Sequence, residues 1–161
     1  QASIDDQLVF NQNCYALLQE WRDYTVTVKV MCEPQSRNWA IGIVAYWQNK
    51  DSFYDLWLTQ NQGVWLLRVN TSDSLTPVTL KNADVSFVQG KWYFIKMQLE
   101  THFDEVKIRA KIWEEGTPEP TVWLFQTIDD AHNRILSGTI GFGTLRAICR
   151  FDDVTVDSLV R

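Results

Sequence analysis

Residues 105–123 read EVKIRAKIWEEGTPEPTVW. From Val106 the apolar residues fall on every second position: Val106, Ile108, Ala110 and Ile112. Lys107, Arg109 and Lys111 take the places between, and Trp113 continues that polar row. A period of two is that of a β-strand with one face dry and the other wet. The alternation stops at EEGTPEP, residues 114–120. Gly and Pro do not sit inside a central strand, so this segment connects two antiparallel strands. Trp113 and Trp123 bracket it and are expected near the strand ends, at an edge of the sheet. Glu114, Glu115 and Glu119 read as solvated turn acids, and Gly116 as the residue that supplies a backbone conformation closed to side chains with a Cβ.

The same period recurs along the chain. In DYTVTVKVMCE, Tyr24, Val26, Val28, Val30 and Cys32 oppose Thr25, Thr27, Lys29 and Met31. In KWYFIKMQLE, Tyr93, Ile95, Met97 and Leu99 oppose Lys96, Gln98 and Glu100. Further strands are predicted at 39–48, 53–60, 63–70, 121–127, 138–143 and 147–157. QNKDS, QNQG, NTSDS and FVQG supply the turns between strands. No stretch predicts a helix longer than a turn or two. CYALLQEWR reads equally as a short helix or as a strand and loop. Many short strands with regular turns predict an all-β antiparallel sandwich or barrel. No repeat or linker interrupts it, so residues 1–161 are read as one domain.

Composition narrows the function. The chain has 161 residues and a net charge of −5, which excludes the basic stripe that nucleic acid requires. It also disfavours anionic membrane surfaces, and no segment resembles a membrane span or a signal peptide. Eight Trp, eight Phe and five Tyr point to a thick aromatic core, a stacking surface, or both. Cys14, Cys32 and Cys149 lack metal spacing and allow at most one internal disulfide; they are read as buried free thiols. Asn70-Thr71-Ser72 is a lone glycosylation sequon.

Taken in order, WRDYTVTVKV, WAIGIVAYWQNKDSFYDLWL, GKWYFIKMQL, KIRAKIWEEGTPEPTVW, SGTIGFGT and FDDVTVDSL resemble the concanavalin A-like lectin/glucanase superfamily. The likeness is to its laminin-G-like jelly rolls and to accessory domains of bacterial polysaccharide-degrading enzymes. It runs from Trp21 onward, and residues 1–20 match loosely. The resemblance implies a curved jelly roll of two antiparallel sheets, with sugar held on the concave sheet or its rim loops. It also implies that a structural Ca²⁺ is common. Where relatives often carry an Arg-aromatic pair this chain has Tyr46-Trp47, so no role is carried over from that Arg.

The glycosidases of the superfamily place carboxylates at spacings of two along one strand, as E-x-D-x-E. Retaining hydrolysis needs such neighbours. This chain has no such run: ETHFDE straddles a turn, and FDDVTVD offers Asp153 and Asp157 without a third member. His102 and His132 lie in no ligand motif. The expectation is therefore a domain without catalysis.

A stacking surface is the stronger signal. If the register holds, Tyr46, Asp55, Trp57 and Arg68 gather on one exposed face: two rings to stack on sugar C–H faces, one acceptor and one fork donor. Trp113 extends or replaces that site. The alternative is that the rings lie under a loop and Asp55 and Arg68 form a surface ion pair. For metal, Asp152 and Asp153 are the candidate Ca²⁺ ligands, with Asp5 and Asp6 as further contributors, because Ca²⁺ takes hard oxygens. The expected protein is an extracellular or cell-surface module that binds polysaccharide or another glycan, within a larger multidomain protein. The competing reading is a structural or adhesive domain that binds protein.

Overall fold

The computed structural model describes residues 21–34, 39–61, 64–72, 78–146 and 148–159. Their elements are ten strands: β1 (Tyr24–Cys32), β2 (Ala40–Asn49), β3 (Ser52–Asn61), β4 (Val64–Ser72), β5 (Val78–Val85), β6 (Tyr93–Thr101), β7 (Val106–Glu114), β8 (Phe125–Asp129), β9 (Thr139–Leu145) and β10 (Cys149–Ser158). No helix occurs among the described residues. The strands form two five-stranded sheets, ordered β10-β1-β6-β7-β8 and β5-β4-β3-β2-β9. Every pairing is antiparallel.

Alternation places the core. The inner residues of β1, β6 and β7 meet Ile41, Ile43 and Ala45 of β2 and Tyr54, Leu56 and Leu58 of β3 in one cluster. Each such side chain contributes roughly 1.5–3 kcal/mol by leaving water. The outer residues of each sheet form the two broad faces of the sandwich.

One predicted span shortens and one strand was not predicted. Residues 121–124 belong to the connection before β8, because Lys111 Nζ donates to the Pro120 carbonyl and the Leu124 N–H to the Ala110 carbonyl, folding the segment over β7. Strand β5 escaped prediction. Leu80, Ala83 and Val85 pack against the core, a spacing that breaks period two, and its ladder with β4 is irregular between Val69 and Asn70.

The cysteines also differ from expectation. Cys32 of β1 and Cys149 of β10 are directly paired in register and joined by a disulfide, with Cα atoms 4.1 Å apart. Cys14 lies outside the described residues, as do Asp5 and Asp6.

Candidate functional site: two outer faces

On the β5-β4-β3-β2-β9 sheet, the register lines up rows across the strands. Asn82, Arg68, Trp57, Gly42 and Gly143 make one row. Next to it run Asn70, Asp55, Val44 and Gly141. The Trp57 ring lies over Gly143; a Cβ there would come within 2.6 Å of it. Gly143 thus makes room for the ring, while a Cβ at Gly42 would meet the backbone of Leu56 and Trp57. The Asn70 amide donates to Asp55, and the Thr79 hydroxyl donates to Asn70 at 2.9 Å. Burial pushes the Asp55 carboxyl up to about 6, against the lowering pull of bonds from Asn70 and Trp57 and of the Arg68 charge.

The sequence therefore grouped Asp55, Trp57 and Arg68 correctly on one face. It misjudged their exposure: Trp57 keeps 8% and Asp55 4% of its accessible surface. Asn70, the sequon residue, is equally buried and bonded, so the folded chain offers no glycosylation acceptor there.

Tyr46 leaves the group altogether. The β2–β3 and β2–β9 ladders both shift register after Ala45 and Val44, and Tyr46 takes a positive φ of 49°. This bulge turns a residue of outer parity into the core. Its ring packs against Tyr24 and Tyr54. Its hydroxyl accepts from the Asp23 N–H at 3.0 Å and pairs with the Thr101 hydroxyl at 2.9 Å. Tyr46 is structural.

Trp113 stands on the other broad face, that of β10-β1-β6-β7-β8, so it does not extend the Trp57 row. The outer ladder of β6 and β7 reads Phe94–Trp113, Lys96–Lys111, Gln98–Arg109 and Glu100–Lys107. Phe94 and Trp113 stack with centroids 5.2 Å apart and planes 19° from parallel. The 115–124 connection lays Trp123 beside them, with Lys111 Nζ 4.7 Å and the Arg109 guanidinium 5.5 Å from its ring centroid. All three rings stay partly exposed. The turn glutamates are not merely solvated. Glu114 pairs with Lys91, Glu115 with Lys29, and Glu119 with both Lys96 and Lys111. Trp123 was singled out in the sequence but its facing stayed unassigned, because the connection and not a strand places it; Phe94 was missed because it shares its face with Lys96, Gln98 and Glu100, which read as plain solvent surface.

No family model matches the sequence, and no curated protein does. Solved structures do match. The carbohydrate-binding module CBM66 from Bacillus subtilis superposes with a TM-score of 0.62 at 15% identity, over 87% of this chain and 78% of its own. Sheep galectin-11, in complex with glycerol, gives 0.54 at 12% identity, over 87% and 96%. The fold is the concanavalin A-like, galectin-like sandwich of two antiparallel five-stranded sheets. At these identities the likeness is one of fold. Xylan β-1,4-xylosidase from Bacillus halodurans C-125 matches at 0.63 and 16% identity over 87% of this chain, which spans 28% of the length of the enzyme chain.

Within this concanavalin A-like sandwich Asp152 and Asp153 sit where β10 bulges opposite Lys29, and Asp153 has a φ of 47°. The Lys29 ammonium lies 3.4 Å from Asp152 Oδ2, 3.0 Å from Asp153 Oδ2 and 3.2 Å from Glu115 Oε1. The bond from Asp153, then that from Glu115, holds this lysine protonated far above its usual range. Among the described residues no three His, Cys, Asp or Glu side chains gather as a metal group. The Lys29 ammonium thus bonds both carboxylates and offsets part of their charge, and they do not by themselves fit a Ca²⁺ cage. At the same end a recess of about 620 Å³ opens beside Trp92, Arg150 and Phe151.

Proposed function

We propose that this domain is a non-catalytic carbohydrate-binding module, carried outside the cell as an accessory part of a larger polysaccharide-active or surface protein. The observation that carries the reading is the partly exposed Trp113–Trp123 group on the β6–β7 face, set among cations and amides on a rigid sheet. Flat C–H faces of sugar rings stack on indoles, and Lys96, Lys111, Arg109 and Gln98 supply hydrogen-bond donors. Likeness of fold to a carbohydrate-binding module and a galectin supports it. So does the disulfide, which persists in oxidising compartments. The non-catalytic part rests on the sequence, in which no E-x-D-x-E run sets carboxylates side by side on one strand face. Affinity in the micromolar to millimolar range, about 4–8 kcal/mol, suits a few such contacts.

Asp55, Trp57 and Arg68, from two neighbouring rows of one face, form a second candidate site, which holds a glycan only if that buried face opens. A glycan array with wild type, Trp113→Ala and Trp57→Ala separates the two faces. Trp113→Ala is expected to stay folded and lose binding. Trp57→Ala removes a buried ring and is expected to cost about 3–5 kcal/mol of stability. A folded Trp113→Ala that binds every glycan like wild type would move the sugar surface elsewhere, and an array blank for wild type would bring forward the adhesive reading. Running the array and a melt with chelator tests the Ca²⁺ proposal for Asp152 and Asp153: an unchanged melt removes it.

A further inference from the structure

Lys96 and Lys111 are direct cross-strand partners on the outer face of β6 and β7. Like charges placed so destabilise a strand pair. Lys111 is also buried, with 7% of its surface accessible, and a buried charge left without a partner is costly. The sheet cannot resolve this conflict by itself. A loop does: Glu119 Oε1 lies 2.6 Å from both ammonium groups. The two lysine bonds outweigh the effect of burial and hold the Glu119 carboxyl below its usual range.

The partners differ in how firmly they are placed. The lysines stand on central strands, and Lys111 is fixed further by its bond to the Pro120 carbonyl. Glu119 comes from the 115–124 connection, and its side chain is 41% exposed. Rotating that one side chain into water vacates the position between the ammonium groups. Trp113, 5.6 Å from Lys96, and Trp123, 4.7 Å from Lys111, flank the same position. The β6–β7 outer ladder carries Lys96, Lys107, Arg109 and Lys111 against Glu100 alone, in a chain whose net charge is −5.

We propose that Glu119 is an internal stand-in for a ligand carboxylate, and that this face binds an acidic polysaccharide built of uronic acid residues. The uronate carboxylate replaces that of Glu119 between Lys96 and Lys111, and its pyranose faces stack on Trp113 and Trp123. The inference rests on the glycan-binding reading and names its ligand class. A carboxylate is favoured over a polyphosphate because one already fits the cradle.

The test is calorimetric binding of polygalacturonate and of the same polymer with its carboxyls reduced to alcohols. Wild type is expected to bind the acidic polymer and to bind it more weakly as salt rises. Glu119→Gln removes the competitor and is expected to tighten that binding by about tenfold or more. Lys96→Met, with folding checked by far-ultraviolet spectroscopy, is expected to abolish the preference for the acidic polymer. If folded Glu119→Gln binds polygalacturonate no better than wild type, Glu119 is a structural clasp and the inference falls. Equal binding of both polymers also overturns it and leaves the glycan reading standing. No binding to either, nor to a neutral glycan array, removes both.

Discussion

Asp55 is an acid on the outward side of a sheet that nevertheless ends up buried. Its parity, two residues from Trp57, was legible from alternation alone. Its burial was not, since parity says which face a residue takes and nothing about what closes that face. The consequence is a pH dependence with a definite sign. Burial raises the carboxyl from its ordinary 3.8 to about 6. The folded chain then holds this proton to higher pH than the unfolded chain does. Asp55's contribution to stability is full below 3.8, falls as pH rises through about 6, and is flat above. The span corresponds to about 3 kcal/mol. Asp55→Asn keeps an acceptor for Asn70 and has nothing to ionise. Its melting temperature is expected to exceed that of wild type at pH 8 and to converge with it near pH 3. Parallel curves across that range would show that Asp55 ionises freely. Tyr46 went the other way: its parity was legible and misleading, because one bulge reverses every inference drawn beyond it.

Among the elements, strands with unbroken alternation were found close to their true limits. Strand β6 carries a burial pattern that alternates with the sequence residue by residue, and β7 follows it as far as Ala110; in β1 the outer residues Thr25, Thr27 and Met31 are buried as well. The failures, β5 and the start of β8, come where pairing partners or side-chain bonds decide the path. The 115–124 connection shows both kinds. Its turn chemistry was readable: Gly116 has a φ of +84°, and nothing lies within 4 Å of the place its Cβ would occupy. Gly116→Ala is therefore expected to cost about 1–2 kcal/mol through backbone strain alone. Gly143→Ala meets the Trp57 ring instead and must displace it. Comparing the two variants by denaturant melts checks this; a Gly116→Ala variant as stable as wild type would mean that the turn relaxes to another form. The path of the connection across the outer face was not readable, since it depends on bonds that Lys96 and Lys111 donate to Glu119 and Pro120 and that the Ala110 carbonyl accepts from Leu124.

At the scale of the whole molecule, the Cys32–Cys149 disulfide joins the first and last described strands across a separation of 117 residues. Closing so long a loop restricts the unfolded chain, a stabilisation of roughly 2–5 kcal/mol. Reduction is expected to lower the melting temperature while leaving the far-ultraviolet β-signal at 25 °C intact, because the sheets have a full core of their own. Loss of that signal on reduction would mean that the cross-link, rather than the core, carries the fold. By itself the sequence determined the class of fold, the inner and outer side of most strands, the antiparallel hairpins and the absence of an E-x-D-x-E run. These follow from period two, from Gly and Pro at turns, and from residue spacing within single strands. Tertiary structure alone decided which cysteines pair, that Trp57 and Trp113 lie on opposite faces, that Tyr46 is core, and that Lys29 occupies Asp152 and Asp153. Each of these depends on two segments distant in sequence meeting in a particular register, and a one-residue bulge in either is enough to change the answer.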